Sequence, residues 1–421
     1  MKFQTPKGTR DFLPDEMSPR KEITDKIQKI YRLFGFKKWD GPAFEYLETL
    51  TLKSGENIKD EIYSFKDKSG RDLGLRFELT ASLARMIAAN PGLKKPLKLY
   101  NIGKVWRYER PQSGRFREFF QADADILGVS EITAEAELLI MATQILDELG
   151  FKNYQIILNN RKILMAVLNY LKISLEDQKP LLRALDKLNK NGKEATKNEI
   201  KKIISESQQK KLFEILEISG ENQNKLAKME KLIGQEEGIE ELQNLLALLS
   251  KFSFSQKVRV DFSLVRGLDY YTGSIFEIVL PEDKSESIAG GGRYDNLIKL
   301  YGGQDTPACG ISFGIERLFG LNKKTPNNHS GTDVYVCFIT PDTLPVALKT
   351  ASKIRQNGIS ADLALGNKSL TKQLQYANSI KASYAYILFS DKESILKDMK
   401  TGKEEKIFLN EAIEKLIKLF R

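Results

Sequence analysis

Arginine and glutamate residues crowd one short segment of the chain, residues 107 to 118. The stretches "LKLYNIGKVWRYER" and "RFREFFQADADILG" look like two strands, and the "PQSG" between them predicts a hairpin. Alternation places Arg107 and Glu109 on one face of the first strand, and Arg115 and Arg117 on one face of the second. Like charges on a shared face repel, and guanidinium groups match phosphate geometry, so the pattern indicates a polyphosphate site. A surface ladder of Arg–Glu pairs is the alternative.

A second polar cluster interrupts an apolar run in "LVRGLDYYTG", residues 264 to 273. Arg266 is always charged and can only donate hydrogen bonds, so when buried it needs an anion, either an internal acid or a bound phosphate. Tyr270 and Tyr271 offer apolar walls that end in hydroxyl groups. The cluster therefore suits a small polar molecule that carries both an anion and a ring.

Three further features have weaker local signals. Phe119, beside the arginines, is either a core residue or a platform on which a base stacks. The glycines of "AGGGRY", residues 289 to 294, either cradle phosphate or allow close backbone packing at a strand end. The sequence is neither a Walker nor a Rossmann fingerprint. Arg317 in "CGISFGIERL" is either functional or one half of a buried pair with Glu316.

The composition limits which chemistry the chain can perform. Its 66 Lys and Arg against 56 Asp and Glu give a net charge of +10 over 421 residues, which fits an anionic partner such as RNA. The two cysteines, Cys309 and Cys337, are far apart and favour a reducing compartment. The single histidine, His329, lies in a linker-like stretch, which excludes histidine-based acid–base catalysis. We expect a cytoplasmic protein with no membrane span.

The elements that must position these residues divide the chain into parts. Strand-like segments surround the arginine hairpin, residues 170 to 250 read as helices rich in Lys, Glu, Leu and Asn, and strands alternate with helices after residue 331, which predicts a small parallel α/β domain. The expected parts are a first catalytic part at 1–169, a helical insertion at 170–253, a second catalytic part at 254–320, a linker at 321–331 and a C-terminal domain at 332–421.

Seven segments, in this order, carry a family resemblance. They are "KGTRDFLP" (7–14), "KSGE" (53–56), "LRFELTASLARM" (75–86), "WRYERPQSGRFREFFQADADILG" (106–128), "RGLDYYTG", "AGGGRYDNL" and "GISFGIERL". Together the chain resembles a class II histidyl-tRNA synthetase of the archaeal and eukaryotic branch, and "KSLTKQLQYANSIKASYAYIL" is similar to the family's anticodon-binding domain. The resemblance implies an α+β fold, with an antiparallel-sheet catalytic domain, a helical insertion and a C-terminal α/β anticodon-binding domain.

The resemblance also implies roles for individual residues. Catalysis falls to Arg107 and Arg266, which face the α-phosphate. The implied ATP contacts are Arg107, Glu109, Arg115, Phe119 and Arg317. The implied histidine contacts are Glu78, Thr80, Gln121, Asp125, Arg266, Tyr270, Tyr271 and Tyr294. Asp125 stands where many bacterial members carry glutamate and is one methylene shorter, so the contact with the imidazole must be made by a slightly closer backbone or by a different partner.

These roles imply a histidine–tRNA ligase that activates L-histidine with ATP to histidyl-adenylate and transfers it to the 3′ end of tRNA(His). Mg²⁺ would arrive with ATP, and a homodimer would form through residues 38 to 56. One alternative is a histidine-binding regulatory paralogue of ATP phosphoribosyltransferase. Those paralogues lack the C-terminal domain, which this sequence has.

Overall fold

The computed structural model describes residues 3–53, 56–109, 116–188, 192–266, 270–281, 283–321, 332–366, 368–390 and 392–420. Arg115 and nearly all of the expected linker lie outside these ranges. The described residues form two compact units. The larger comprises residues 3–12 and those from 19 to 321, and the smaller comprises residues 13–18 and those from 332 to 420.

A large sheet organises the larger unit. Its described strands are β1 (Lys37–Lys38), β5 (Leu97–Trp106), β6 (Glu118–Leu127), β7 (Gln155–Asn160), β8 (Val258–Val260), β9 (Ser274–Leu280), β10 (Asp283–Arg293) and β11 (Ala308–Gly314). They lie in the order β1-β5-β6-β11-β10-β9-β7-β8. Neighbours from β5 to β7 in this order are antiparallel, whereas the outer pairs β1–β5 and β7–β8 are parallel. The predicted hairpin is confirmed, since β5 and β6 pair from Leu97–Leu127 to Trp106–Glu118.

The remaining elements of the larger unit are mostly helices. They are α1 (Pro14–Leu33), which belongs to this unit from residue 19 onward, α2 (Leu47–Thr51), α3 (Thr80–Ala89), α4 (Thr133–Glu148), α5 (Arg161–Tyr170), α6 (Leu175–Asp186), α7 (Lys193–Ile200), α8 (Glu206–Leu216), α9 (Asn222–Ile233), α10 (Glu237–Leu249), α11 (Leu297–Leu300) and α12 (Ile315–Leu321). A three-stranded sheet of β2 (Phe44–Tyr46), β3 (Ser64–Lys66) and β4 (Asp72–Leu75) lies in the order β2-β4-β3. The described residues from 175 to 249 contain helices and no strand, as their composition predicts.

The two faces of β6 have opposite characters because its sequence alternates. Ala122, Ala124 and Ile126 belong to the main hydrophobic core together with residues of α1 and α4. The hydroxyl of Tyr31 in α1 donates a buried hydrogen bond of 2.9 Å to the Ala122 carbonyl. Successive side chains of a strand point to opposite faces, so Gln121, Asp123 and Asp125 project from the other side. The core thereby fixes a row of polar groups on the opposite surface of the sheet.

The smaller unit contains a mixed sheet. Its elements are β12 (Val334–Phe338), α13 (Leu344–Gln356), β13 (Ala361–Leu363), α14 (Leu370–Ser379), β14 (Tyr384–Leu388), β15 (Ser394–Asp398), β16 (Glu404–Lys406) and α15 (Leu409–Phe420). Strands β13, β12 and β14 are parallel, but β15 and β16 continue the sheet antiparallel. The parallel sheet predicted from the sequence is confirmed for β13, β12 and β14, whereas β15 and β16 depart from it. β14 ends at Leu388 and β15 begins at Ser394, and the Phe389 N–H donates to the Glu393 carbonyl at 3.0 Å. So short a link cannot make a parallel crossover.

Within the described part of the chain, no helix has the length and apolarity needed to cross a bilayer.

Candidate active site

The polar face of β6 forms the floor of the candidate site. Gln121, Asp123 and Asp125 lie on it at every second position, opposite Gly314, Ser312 and Gly310 of β11 in the pairing register. The amide nitrogen of Gln121 donates to the Ser312 hydroxyl at 3.0 Å, and its buried carbonyl oxygen has no partner within the described structure. Gln121 therefore keeps an acceptor available.

Asp125 and Tyr294 form a buried pair. Tyr294, which directly follows β10, donates its hydroxyl to Oδ1 of Asp125, and the two residues are 2% and 4% exposed, respectively. Burial raises the pKa of Asp125 to about 7, and the hydrogen bond from Tyr294 opposes that rise. A Cβ atom at Gly310 would overlap the same Oδ1 atom, so the site requires glycine there. The pair offers a hydroxyl oxygen and a carboxyl group poised to titrate near neutrality.

Asp123 is a site residue that the sequence reasoning missed. It is 5% exposed, and its Oδ1 atom has no hydrogen-bond partner among the described residues. Burial raises the pKa of Asp123 well above its usual value, and the negative charge of Asp125 raises it further. The alternation in "QADAD" contained the signal, because any strand that aims Gln121 and Asp125 at a site must aim Asp123 there as well.

Glu78 lies beside this floor with both carboxylate oxygens engaged. One oxygen accepts a hydrogen bond of 2.8 Å from the backbone of Ala81, near the start of α3, where a carboxylate complements the helix dipole. The other lies 2.5 Å from the ammonium nitrogen of Lys53. Thr80, the first residue of α3, is adjacent and partly exposed. Lys53 is buried; it begins the "KSGE" segment of the family resemblance, but the sequence reasoning gave it no role in the site.

Tyr270 and Tyr271 connect the acidic floor to Arg266. Their ring centroids are 4.4 Å apart, and Tyr270 also meets the ring of Tyr294 edge-on at 6.1 Å. Burial raises the pKa of the Tyr270 hydroxyl, the charge of Glu78 raises it further, and the charge of Arg266 lowers it. Both the carboxylate and the guanidinium therefore act on one tyrosine, which places them in a common site.

Arg266 lies on the sheet, held by a pair with Glu277 of β9. It also donates to the Ser287 hydroxyl of β10 at 3.2 Å. A Cβ atom at Gly290 would overlap the guanidinium, and one at Gly291 would overlap the Gly310 carbonyl. These glycines thus allow close packing, which is one of the two alternatives that the sequence left open for "AGGGRY", the other being a phosphate cradle. The sequence reasoning required an anion for Arg266, and Glu277 is that internal acid in this structure.

Arg317 shares Ser287 with Arg266. Its guanidinium donates to the Ser287 carbonyl at 2.6 Å. The neighbouring Glu316 pairs with buried Arg20 of α1 at 2.7 Å and accepts from the backbone of Phe120 at 2.9 Å. Ser287 therefore brings the two arginines that the sequence placed in the site to one point of β10.

Arg107, at the end of β5, occupies the other side of the floor. Its Nε donates to the Phe77 carbonyl at 3.0 Å, and its guanidinium lies over the Phe119 ring at 5.1 Å. The positive charge of Arg107 also opposes the raised pKa of Asp123. The guanidinium of Arg117 instead donates to the backbone carbonyl of Glu109 at 3.0 Å. Phe119 therefore packs against the core and also has an arginine over its ring. Its two interpretations, a core residue and a platform on which a base stacks, are compatible.

Known proteins are similar to this chain along its full length. A family model described as Histidyl-tRNA synthetase matches residues 8–318, and one described as Anticodon binding domain matches residues 333–419. The histidine–tRNA ligase of Pyrococcus horikoshii is 36% identical and covers 99% of both chains. That of Aeropyrum pernix is 37% identical over 89% of this chain and 88% of its own. The crystal structure of histidyl-tRNA synthetase from Nostoc sp. PCC 7120 is 28% identical, with a TM-score of 0.83 over 100% of both chains.

Proposed function

This chain belongs to the histidyl-tRNA synthetase family, and we propose that it is a histidine–tRNA ligase. It activates histidine with ATP to histidyl-adenylate and then transfers the histidyl group to the 3′ end of tRNA(His). The family resemblance and the α+β class II fold predicted from the sequence are confirmed. Within the site, the observation that carries the proposal is the buried Asp125–Tyr294 pair, a polar floor suited to an imidazole ring.

Fixed positive charge drives the activation step. A carboxylate oxygen of histidine attacks the α-phosphorus of ATP, the bond from that phosphorus to the bridging oxygen breaks, and pyrophosphate leaves. Arg107 and Arg266 stabilise the negative charge that builds on the α-phosphate oxygens. Each such donor is worth about 3 kcal/mol in the transition state. A guanidinium has five N–H donors, so Arg266 can retain Glu277 while it donates to phosphate.

The remaining ATP contacts surround this centre. Glu109 reads the adenine edge and Phe119 stacks beneath the ring, with the Arg107 guanidinium already above Phe119. Arg317 and Arg115 take the outer phosphates. Mg²⁺ would enter with ATP as part of the substrate and would supply positive charge that offsets the phosphate charge.

Histidine selection depends on hydrogen bonding to the imidazole. A neutral imidazole has one donor and one acceptor, which Asp125, Tyr271 and Tyr294 can match. Leucine or phenylalanine would leave these buried groups unpaired, and sites of this kind discriminate strongly without an editing step. The pKa of Asp125 near 7 lets it accept the imidazole N–H as a carboxylate at neutral or higher pH.

The backbone groups of the amino acid meet the other end of the pocket. Glu78 and Thr80 hold the α-ammonium group, and Gln121 lies near the carboxylate. Tyr270 forms a wall between them. The buried negative charge of Glu78 supports this role, because an ammonium group is the ligand that such a carboxylate stabilises best.

The smaller unit binds the anticodon stem, and its match to an anticodon-binding family model supports this part of the proposal. The chain pairs as a homodimer through residues 38 to 56; sedimentation of an active protein as a monomer would contradict this. The two thiols are free and buried, which fits a reducing cytoplasm.

Histidine-dependent exchange of pyrophosphate into ATP tests the proposal. We expect exchange with histidine, none with phenylalanine or leucine, and charging of tRNA(His) when the tRNA is added. A regulatory paralogue would bind histidine yet catalyse no exchange. That outcome, or exchange that is indifferent to the amino acid supplied, would overturn the assignment.

A further inference from the structure

Lys53 is enclosed between two groups of the histidine pocket. Its ammonium nitrogen lies 2.5 Å from Oε2 of Glu78 and 3.9 Å from the ring centroid of Tyr270. The side chains of Lys53 and Glu78 are 2% and 10% exposed, respectively. A lysine is seldom buried so completely, and here the carboxylate and the ring face together compensate its lost hydration.

The contact leaves Glu78 little freedom. Lys53 holds one carboxylate oxygen, and the backbone N–H of Ala81 holds the other at 2.8 Å. The carboxylate therefore keeps one orientation before any substrate arrives. Binding sites whose groups are held in place in this way lose less entropy when the ligand binds.

Lys53 also offsets an accumulation of negative charge. Two other buried carboxyl groups, Asp123 and Asp125, are close enough to Glu78 for its charge to raise the pKa of each. Tyr270 and Tyr301 face Glu78 as well, and its charge raises the pKa of both hydroxyls. Lys53 is the cation in contact with Glu78, and its charge lowers the pKa of Asp125. Lys53 therefore balances part of the negative charge that is gathered around Glu78.

We propose that Lys53 is a positioning residue for histidine recognition: it holds the Glu78 carboxylate in one orientation and offsets the negative charge around it, so that the carboxylate can receive the α-ammonium group. This inference rests on the proposed function, since it deepens the role of Glu78 in that site. Lys53 acts through Glu78 and touches none of the reacting atoms. Its loss therefore raises the KM for histidine much more than it lowers kcat.

The test compares Lys53→Met with Lys53→Arg in histidine-dependent pyrophosphate exchange. The neutral variant should show a histidine KM about tenfold above wild type and a kcat within about threefold of it, because the Glu78 carboxylate is no longer held in place for the ammonium group. Lys53→Arg keeps the charge, so its histidine KM should remain within about threefold of wild type. Lys53→Met also removes a charge that lowers the pKa of Asp125, and this effect persists when Glu78 is replaced as well.

A Glu78→Gln background separates this role from a purely structural one. Because Lys53 acts through Glu78, adding Lys53→Met to Glu78→Gln should raise the KM for histidine by less than about twofold. Isothermal titration of histidine alone should give the same ratios as the KM values.

A kcat loss in Lys53→Met as large as its KM loss, or an equal KM loss in the Glu78→Gln background, would overturn the inference. So would a rise of about tenfold in the histidine KM of Lys53→Arg, which also decides the question if the methionine variant does not fold. A wild-type protein without histidine-dependent exchange would instead overturn the proposed function.

Discussion

Replacement of Arg266 by alanine separates catalysis from structure at the centre of the site. The guanidinium lies against Gly290, pairs with Glu277 and donates to Ser287. In the proposed mechanism it also stabilises charge on the α-phosphate. The substitution removes every one of these contacts, so the rate effect and the stability effect must be estimated separately.

The two effects differ in size. Loss of one preorganised donor to a developing oxyanion costs about 3 kcal/mol, which slows adenylate formation by about 10²-fold. The side chains of Arg266 and Glu277 are 32% and 22% exposed, so solvent screens their pair, and we expect its loss to destabilise the fold by only about 1 kcal/mol. Catalysis should therefore collapse in a protein that still folds.

Glu277→Gln is the matched control, because it removes the same ion pair and leaves the guanidinium. Single-turnover formation of histidyl-adenylate should fall by at least about 10²-fold in Arg266→Ala and by less than about tenfold in Glu277→Gln. Thermal unfolding of both variants measures the structural loss. Equal rates in the two variants, or an Arg266→Ala rate within tenfold of wild type, would refute the catalytic role and leave Arg266 as a structural partner of Glu277.

Three further outcomes follow from the structure. Tyr294→Phe removes the hydrogen bond that opposes the raised pKa of Asp125, so the pH below which 1/KM for histidine falls should rise above its wild-type position near pH 7. If that pH stays unchanged or becomes lower, the result would argue against Asp125 as the acceptor for the imidazole. Gly291→Ala should destabilise the fold by about 3 kcal/mol in thermal melts, because the new Cβ atom would overlap the Gly310 carbonyl. The control is Gly320→Ala in α12, whose new Cβ atom meets nothing within 4 Å and should be neutral or slightly stabilising. The affinity for tRNA(His) should fall steeply with salt concentration, as a filter-binding series would show, since phosphate contacts release counterions; an affinity independent of salt would contradict the tRNA proposal.

The sequence predicted those parts of the site that depend on local pattern. The hairpin of β5 and β6 followed from alternation and a loop signal. Gln121 and Asp125 were named by the family resemblance, and alternation along β6 puts both on one face. The same alternation puts Asp123 there, although the sequence reasoning did not use it. The sequence reasoning also missed the antiparallel part of the sheet in the smaller unit, because the short segment that forms β15 was not assigned as a strand.

Contacts between distant residues lay beyond the sequence. Lys53 and Glu78 are 25 positions apart, and Lys53 follows the small helix α2, where a lysine ordinarily points to solvent. Periodicity describes which face a residue takes within its own element. Periodicity cannot say which charges from separate elements meet. The chemistry of a buried guanidinium predicted that Arg266 needs an anion, but the sequence did not identify that anion as Glu277.

The glycines of β10 and β11 explain how so many charged groups fit onto one sheet. Gly290 leaves the space that the Arg266 guanidinium occupies, and Gly310 leaves room for the Asp125 carboxylate. A Cβ atom added at Gly292 would lie only 3.1 Å from the Tyr271 ring. Glycine weakens a strand because it loses more backbone entropy and adds no side-chain contacts. These strands retain buried neighbours such as Ile311 on the core face. Close packing at these glycines is therefore what gives Arg266, Tyr271 and Asp125 their places on the sheet.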